Sequence, residues 1–373
     1  MPDLGHYLLV GLAAFAATLL STPLVRAVAG RLGWVVQPDE RRVHTVPTPD
    51  VGGIAMFVGF LVAMGVAWRL DAFDSLLATN SEPVGVVLAA TVIFLVGLAD
   101  DLWDLPGPAK VTGLVVAGLL LTWFGVVMFY FRIPFLDVVA IGGDFAPLVT
   151  VLWVVGMANA VNLIDGLDGL AAGIVAIASG AFFLYAQRLI DLDLLLQPNI
   201  GPLLAVVVFG MCLGFLPYNF NPARIFMGDS GALLLGTLMA ASTIVVGGRA
   251  DPTNGFTGQT YFFFAPLAVP LVILGVPILD TLFAIVRRAT RGQGVATADK
   301  DHLHHRLMRL GHGQRRSVVI LWLWTAILSA FVLYPAYNEG QGDAVVPLGV
   351  AALVLVLYTV LHPEVRRLRE DSS

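Results

Sequence analysis

Five groups of polar residues in this sequence combine residue types and spacings suited to phosphate and metal chemistry. The first is Asp100-Asp101-Leu-Trp-Asp104, with Lys110 following it. Two adjacent carboxylates repel each other, and removing them from water is costly unless a cation joins them. Lys110 could balance that charge or hold a phosphate. A solvated loop that merely ends a helix is the alternative interpretation.

The second group has polar residues at every third position, namely Asn159, Asn162, Asp165 and Asp168. Residues three apart are neighbours on a helix, so adjacent members can share a face. Two Asn and two Asp directed into one region make an oxygen-rich site, which suits Mg²⁺ or Mn²⁺ better than zinc. The alternative is a helix-capping loop with Asp and Asn in their favoured places.

The third group, Asn221 to Gly231, contains Asp229-Ser-Gly immediately before an apolar run. Asp229 or Ser230 could cap the helix that the run predicts, and a helix N-terminus also favours phosphate. Arg224 offers a forked donor for phosphate oxygens. Phe226 could stack on a base, although a single Phe at an interface is more often an anchor or packing residue.

The fourth group is His302, His304 and His305 with Arg306, and the fifth is a basic loop from Arg41 to Gly53. Histidine-rich tracts can bind zinc, but no H-E-x-x-H pattern accompanies these histidines. Anion binding or acid–base chemistry in a basic loop fits them better.

The chain as a whole has the composition of a membrane protein. It is 58% hydrophobic and 13% charged, whereas soluble domains are about 45–50% apolar and about 25% charged. A bilayer-spanning helix needs about 20 mainly apolar residues. We therefore predict an all-α, polytopic protein with a single domain over 1–373 and about eleven transmembrane helices. They lie near 6–28, 51–69, 84–99, 111–129, 146–160, 169–187, 200–217, 231–247, 262–286, 317–336 and 344–362.

The basic residues predict the orientation of these spans. One set of alternate loops contains most of the Lys and Arg, including a large loop at 287–316 that carries the histidine motif, whereas the other contains only Arg69, Arg132, Arg188 and Arg249. Cytoplasmic loops carry the excess of Lys and Arg. The N-terminus is therefore predicted outside and the C-terminus inside. All five polar groups then face the cytoplasm and would form an active-site cleft there.

Other classes of function are less consistent with the sequence. A transporter would have polar residues near the membrane midplane and broken helices in paired halves, whereas the centres of these runs are almost free of charge. Cytidylyltransferase-like and alcohol phosphotransferase membrane enzymes use aspartates at a different spacing. Cys212 is the only cysteine, which excludes an intrachain disulfide and a Cys-based metal site. The net charge of −5 does not indicate a nucleic-acid partner.

Taken together, the motifs resemble those of the polyprenyl-phosphate N-acetylhexosamine-1-phosphate transferases, glycosyltransferase family 4. The most similar branch is the bacterial UDP-GlcNAc:undecaprenyl-phosphate GlcNAc-1-phosphate transferases. The resemblance runs from the Arg41–Gly53 loop to Arg306, and the His-x-His-His-Arg motif separates this branch from the phospho-MurNAc-pentapeptide transferases, which remain the alternative. One departure is Leu114, near a place where the family often has Gln.

The resemblance implies a reaction and a place for it. A sugar-1-phosphate would pass from a UDP-sugar to polyprenyl phosphate with release of UMP, as the first membrane step of surface-polysaccharide synthesis. The enzyme would lie in the bacterial plasma membrane, where its partners are the UDP-sugar, the polyprenyl phosphate and the lipid bilayer. A homodimer is compatible with this resemblance, and no nucleic-acid partner is expected.

The resemblance also implies roles for individual residues. Asp229 would ligate Mg²⁺, with Asn162 as a second ligand and Mn²⁺ as an alternative ion. Asp100 and Asp101 would act near the lipid phosphate, and Lys110 would contact phosphates. The substrate side would be formed by Asp165, Asp168 and Phe226 at the nucleotide, by Arg224 and Gly228 beside them, and by His302, His304, His305 and Arg306 at the diphosphate or sugar.

Overall fold

The computed structural model of this protein describes residues 2–37, 47–133, 136–247, 312–338 and 345–361. These ranges are mainly helical, with one 3-10 turn at Asp71–Phe73 and two short antiparallel strand pairs. The helices are α1 Leu4–Leu32, α2 Gly53–Ala67, α3 Asp74–Leu77, α4 Glu82–Trp103, α5 Gly107–Trp123, α6 Ala146–Ile164, α7 Leu170–Asp191, α8 Gly201–Asn219, α9 Gly228–Gly247, α10 Gly313–Tyr337 and α11 Val345–Leu361. The strands are β1 Val35–Val36, β2 Thr48–Pro49, β3 Tyr130–Ile133 and β4 Leu136–Ala140.

Each predicted apolar run that the structure describes contains a helix, so the prediction of a mainly helical membrane protein with several apolar spans is confirmed. Six described helices, α1, α4, α6, α7, α8 and α9, are long and apolar enough to cross a membrane. Helices α2 and α3 are separated by a break bent by 89° and would add a seventh as one span. The run at 262–286 lies outside the described residues. The total of about eleven spans stays a prediction.

The extended segment after α5 differs from the expected all-helical fold. The run at 111–129 predicts a helix to its end, but α5 stops at Trp123. Gly125 has φ +95°, and the backbone N–H of Val126 turns back to the carbonyl of Leu121 at 2.8 Å. Glycine adopts a positive φ at no steric cost, so the helix ends there and β3 pairs with β4.

Helix α9 lies at the centre of the bundle. It packs against α2, α4, α6 and α8, and all of its residues except Asp229 and Gly247 are buried. Helix α1, by contrast, presents leucines such as Leu20 and Leu24, 69% and 68% exposed, on its outer side. A buried central helix and apolar outer faces are the arrangement expected in a bilayer.

Small residues let the helices approach α9 closely. A Cβ built on Gly97 of α4 would lie 2.5 Å from the Cα of Ser230, and one on Gly53 of α2 would lie 2.3 Å from the backbone N of Gly231. Membrane helices associate through such close contacts because lipid supplies no hydrophobic force between them. These two glycines bring the first turn of α9 against the last turns of α4 and the start of α2.

Candidate active site

Three carboxylates meet where α4 ends and α9 begins. Asp100 and Asp101 lie in the last turn of α4, and Asp229 lies in the first turn of α9. One carboxylate oxygen from each residue lies within 4.8 Å of the others. Lys110, in the first turn of α5, joins two of them, because its Nζ lies 2.6 Å from Asp100 Oδ2 and 2.9 Å from Asp229 Oδ2. Four of the predicted site residues thus form one group.

A tight turn between α4 and α5 brings Lys110 back to Asp100. Asp104 ends α4 in the left-handed region at φ 52°, and its N–H donates to the carbonyl of Asp100 at 2.8 Å. The N–H of Leu105 donates to Asp100 Oδ1 at 2.8 Å. Pro106 then precedes the first turn of α5, as a residue that cannot continue the helix. One carboxylate therefore holds both the turn and the lysine.

Asp101 caps α9 from outside that helix. Its Oδ1 accepts from the N–H of Asp229 at 2.6 Å, and its Oδ2 accepts from the N–H and the hydroxyl of Ser230 at 3.1 and 2.5 Å. A carboxylate is stabilised at the positive end of a helix. The expectation that Asp229 or Ser230 caps α9 is wrong, because Asp101 of α4 accepts the N–H groups of both. This contact leaves the Asp229 carboxylate directed at Lys110.

Gly228, expected beside the substrate, lies directly under Asp101. It has φ +66°, and a Cβ at this position would lie 2.6 Å from Asp101 Oδ2 and 2.5 Å from the carbonyl oxygen of Asp50. A side chain would therefore clash with the cap and with the loop before α2. In this structure Gly228 allows the close approach of three chain segments.

Asp50 is a site residue that the sequence analysis missed. Its segment is held against the one before α9, since Phe226 N–H donates to the carbonyl of Pro49 at 2.8 Å and Gly52 N–H donates to the carbonyl of Phe226 at 2.9 Å. The negative charge of Asp50 acts on Asp101 and on Asp165. Its position between Pro-Thr-Pro and Gly52-Gly53, in the fifth polar group, was the available signal.

The four polar residues of the repeat from Asn159 to Asp168 do not point into one common region. Asn159 is exposed and donates to the carbonyl of Val155 in its own helix at 2.7 Å. The side chain of Asn162 instead lies beside the carboxylate of Asp229. Asp165 follows the end of α6, where burial and then the charges of neighbouring carboxylates, first that of Asp50, raise its pKa well above the ordinary value. The repeat is therefore divided, with Asn162 and Asp165 near the carboxylates and Asn159 bound to its own helix.

The donor atoms of this group fit a hard divalent ion. The carboxylates of Asp100, Asp101 and Asp229 and the amide of Asn162 offer oxygen ligands, which Mg²⁺ and Mn²⁺ prefer. Both oxygens of Asp101 are already occupied by α9. Asp229 and Asn162 are consequently the better candidates for direct ligands, and Asp101 is better suited to holding Asp229 in place.

Asp168 belongs to a separate network rather than to the carboxylate group. It is 3% exposed, and its Oδ2 accepts from Asn221 Nδ2 at 2.8 Å and from the N–H of Ala223 at 2.9 Å. The loop that it holds leads to Arg224, which is exposed, and to Phe226, which is half-buried. Asp168 therefore positions the loop that carries two of the predicted substrate contacts.

The remaining predicted site residues lie outside the described residues. These are the histidine motif with its arginine and most of the basic loop: His302, His304, His305 and Arg306, together with Arg41, Arg42 and His44. The predicted roles of this motif stay predictions.

Comparison with known proteins identifies the family. Residues 83–247 match glycosyl transferase family 4. The chain is 38% identical to a decaprenyl-phosphate N-acetylglucosaminephosphotransferase of Mycobacterium tuberculosis strain H37Rv, over 96% of this chain and 89% of the relative. It is 36% identical to a probable undecaprenyl-phosphate N-acetylglucosaminyl 1-phosphate transferase of Bacillus subtilis, over 87% of this chain and 85% of the relative.

A phospho-N-acetylmuramoyl-pentapeptide-transferase of Desulforudis audaxviator matches less closely, at 32% identity over 88% of this chain and 97% of the relative. The higher identities are to the N-acetylglucosamine enzymes, as the resemblance in the motifs predicts. Because these matches cover most of the chain, the protein belongs to glycosyl transferase family 4, among the membrane enzymes that transfer a sugar phosphate to a polyprenyl phosphate.

Proposed function

We propose that this protein transfers N-acetylglucosamine-1-phosphate, or a related N-acetylhexosamine-1-phosphate, from a UDP-sugar to polyprenyl phosphate and releases UMP. The observation that supports this most directly is Lys110, held between Asp100 and Asp229 where α4, α5 and α9 reach one end of the bundle. The phosphate of a membrane-bound acceptor lies at the headgroup level, and a soluble donor can reach the same level. The activities for which the two relatives are named agree with this chemistry.

The proposed reaction is an in-line phosphoryl transfer. An oxygen of the acceptor phosphate attacks the phosphorus that carries the sugar, a new P–O bond forms, and the bond to the UMP phosphate breaks. Such reactions depend mainly on positioning and on neutralising charge. Lys110 would bind phosphate oxygens after leaving one of its carboxylate partners, and Arg224 would bind others with its forked guanidinium.

Asp100 is proposed to position the acceptor rather than to remove its proton. A phosphate monoester has a second pKa of about 6, so it is already mostly a dianion at neutral pH. Little is then gained from a general base. Asp100 can instead keep Lys110 and the turn at Leu105 in place through its two oxygens.

Asp229 and Asn162 are proposed to hold a divalent cation, Mg²⁺ or Mn²⁺. When bound, such an ion supplies Lewis-acid stabilisation of the charge on the diphosphate and on the leaving UMP. The support from this chain is the set of oxygen donors around Asp229 and the clustering of Asp50, Asp101 and Asp165 near it. Asp101 would support the site by holding the first turn of α9.

We further propose that the site faces the cytoplasm of a bacterial cell, with the N-terminus outside, because of the Lys and Arg bias between loops. Cys212 is buried, so the native protein should react little with an impermeant thiol reagent. A cysteine introduced at Asp3 should be labelled in whole cells, whereas one at Ser373 should be labelled only after permeabilisation. The opposite pattern would contradict the orientation.

The function is tested by incubating the purified protein with polyprenyl phosphate and radiolabelled UDP-sugars, then measuring label in butanol-extractable lipid. We expect UDP-N-acetylglucosamine to be the best donor and UMP to be released in equal amount. Label transferred only from UDP-MurNAc-pentapeptide would favour the activity of the Desulforudis relative. No labelled lipid from any donor would contradict the proposed transferase.

A further inference from the structure

The first turn of α10 is attached to the loop that follows α8. Asn221 Nδ2 donates to Gln314 Oε1 at 2.7 Å, and Arg315 Nε donates to the carbonyl oxygen and to Oδ1 of Asn221 at 3.0 and 3.2 Å. Gln314 and Arg315 are the second and third residues of α10. These contacts join parts of the chain more than 90 residues apart, so they are tertiary rather than local.

Asn221 uses its whole side-chain amide in this network. One N–H of its Nδ2 group serves Asp168 at 2.8 Å, the other serves Gln314, and its Oδ1 accepts from Arg315. An asparagine amide has two donor hydrogens and one acceptor oxygen. Each of them is therefore engaged, and the orientation of the amide is determined by its three partners together.

The network controls the position of a loop in the proposed site. Asp168 also binds the N–H of Ala223, and the N–H of Arg224 donates to the carbonyl of Tyr218 at 2.8 Å. Two residues later, Phe226 N–H is bound to the carbonyl of Pro49. Movement of Asn221 would thus be passed to Arg224, whose side chain is exposed and could reach a donor phosphate.

We infer that Gln314 and Arg315 are positioning residues for the UDP-sugar, acting through Asn221 on the Arg224–Phe226 loop. The inference rests on the proposed function for the identity of the ligand, but the attachment itself is independent of it. Arg315 is exposed, and exposed interactions contribute little to overall stability. We therefore expect its loss to change the geometry of the loop more than the stability of the fold.

Two readouts test this inference in the full-length protein. Arg315→Ala and Gln314→Leu should raise KM for the UDP-sugar by about tenfold, corresponding to about 1.4 kcal/mol. They should change KM for polyprenyl phosphate and kcat much less. Hydrogen exchange by mass spectrometry should rise in the peptide covering residues 219–226, because Asn221 loses its contacts with α10 and the loop that it shares with Ala223 should open more often.

Gln314→Glu provides a conservative rescue. Among the described residues the Nε2 end of Gln314 has no hydrogen-bond partner, whereas its Oε1 accepts from Asn221. Glutamate keeps the acceptor for Asn221, replaces the unused donor with a second oxygen, and adds a negative charge next to Arg315 in the chain. We therefore expect this variant to keep most of the donor affinity that Gln314→Leu loses.

Arg188→Ala is the matched control. Arg188 lies 5.6 Å from the ring centroid of Tyr337 and links α7 to the far end of α10. If the variants only loosen the packing of α10, both should change KM and hydrogen exchange alike. The inference predicts instead that KM for the UDP-sugar rises only in Arg315→Ala. Equal exchange and equal KM in the two variants would overturn it. A wild-type protein that transfers no sugar phosphate would refute the proposed function, and the exchange measurement would still decide the attachment.

Discussion

Asp229, one of the two carboxylates that contact Lys110, and Asp168 both lie near Asp165, but the partners of the two regions differ. Asp100 and Asp229 are paired with a lysine ammonium at 2.6 and 2.9 Å. Asp168 is bound to an asparagine amide and a backbone N–H. The ammonium group of Lys110 can leave a carboxylate and bind a phosphate instead. The backbone N–H of Ala223 cannot leave Asp168 unless the loop itself moves. The first region is therefore suited to chemistry, and the second to holding a loop.

Asp101 belongs with the second kind although it is adjacent to Asp100 in the sequence. Its oxygens bind the backbone at the start of α9, as those of Asp168 bind the backbone at Ala223. Two kinds of aspartate are thus distinguished: those paired with Lys110, and those that bind backbone N–H groups and so shape the site. Substitutions should divide in the same way between lost activity and lost stability.

The largest effect is expected for Asp229→Asn. Loss of the proposed charged ligand should lower turnover at least about a hundredfold, or about 2.7 kcal/mol, because we expect charge stabilisation to supply most of the rate. Turnover is measured against Mg²⁺ concentration, and thermal unfolding checks that the variant is folded. Asp144→Asn, at an exposed loop position, is the control. Near wild-type turnover at low Mg²⁺ would place Asp229 with the shaping aspartates.

His304→Ala and His305→Ala should each reduce turnover about tenfold or more, in the range of a lost charge-assisted contact or acid–base group. The motif precedes α10 in the chain. The start of α10 is in turn held by Asn221, which Asp168 binds. The loss should not depend on added zinc. Turnover is measured with zinc and with a chelator, and metal content is measured in the wild type. Restoration by zinc, or one zinc per chain, would favour a metal site instead.

Asp100→Asn should lower turnover by a similar factor, about tenfold, at pH 6 and at pH 9. A positioning carboxylate is needed at both pH values, whereas the acceptor phosphate ionises unaided well above its second pKa of about 6. Turnover of the variant and of the wild type is measured at each pH with saturating substrates. A defect that shrinks sharply at pH 9 would support a general base and contradict positioning.

The smallest effect is expected from Asp101→Ala on stability. Loss of a helix N-cap costs about 1–2 kcal/mol, so this variant should unfold at a lower temperature in detergent than the wild type. Asp144→Ala, at an exposed loop position, is the control. Equal unfolding temperatures for Asp101→Ala and the wild type would show that the cap is dispensable and would weaken the comparison.

Much of this architecture could be predicted from the sequence. Apolar runs of spanning length correspond to helices throughout the described chain, because a membrane requires backbone hydrogen bonds to be satisfied within each segment. The grouping of Asp100, Lys110 and Asp229 could be anticipated from their positions at the ends of such runs. The end of α5 could not, since it depends on the conformation of Gly125.

The sequence by itself determined the helices, the membrane environment and the polar groups at the helix ends. Only the tertiary structure decided what each aspartate binds. Adjacent residues on a helix point about 100° apart, so one of Asp100 and Asp101 can meet Lys110 while the other meets α9. The packing of Gly97 against Ser230 determines that Asp101 is the residue that meets α9. The contacts of Asp50, and of Asn221 with α10, join segments far apart in the chain, and no local pattern specifies them.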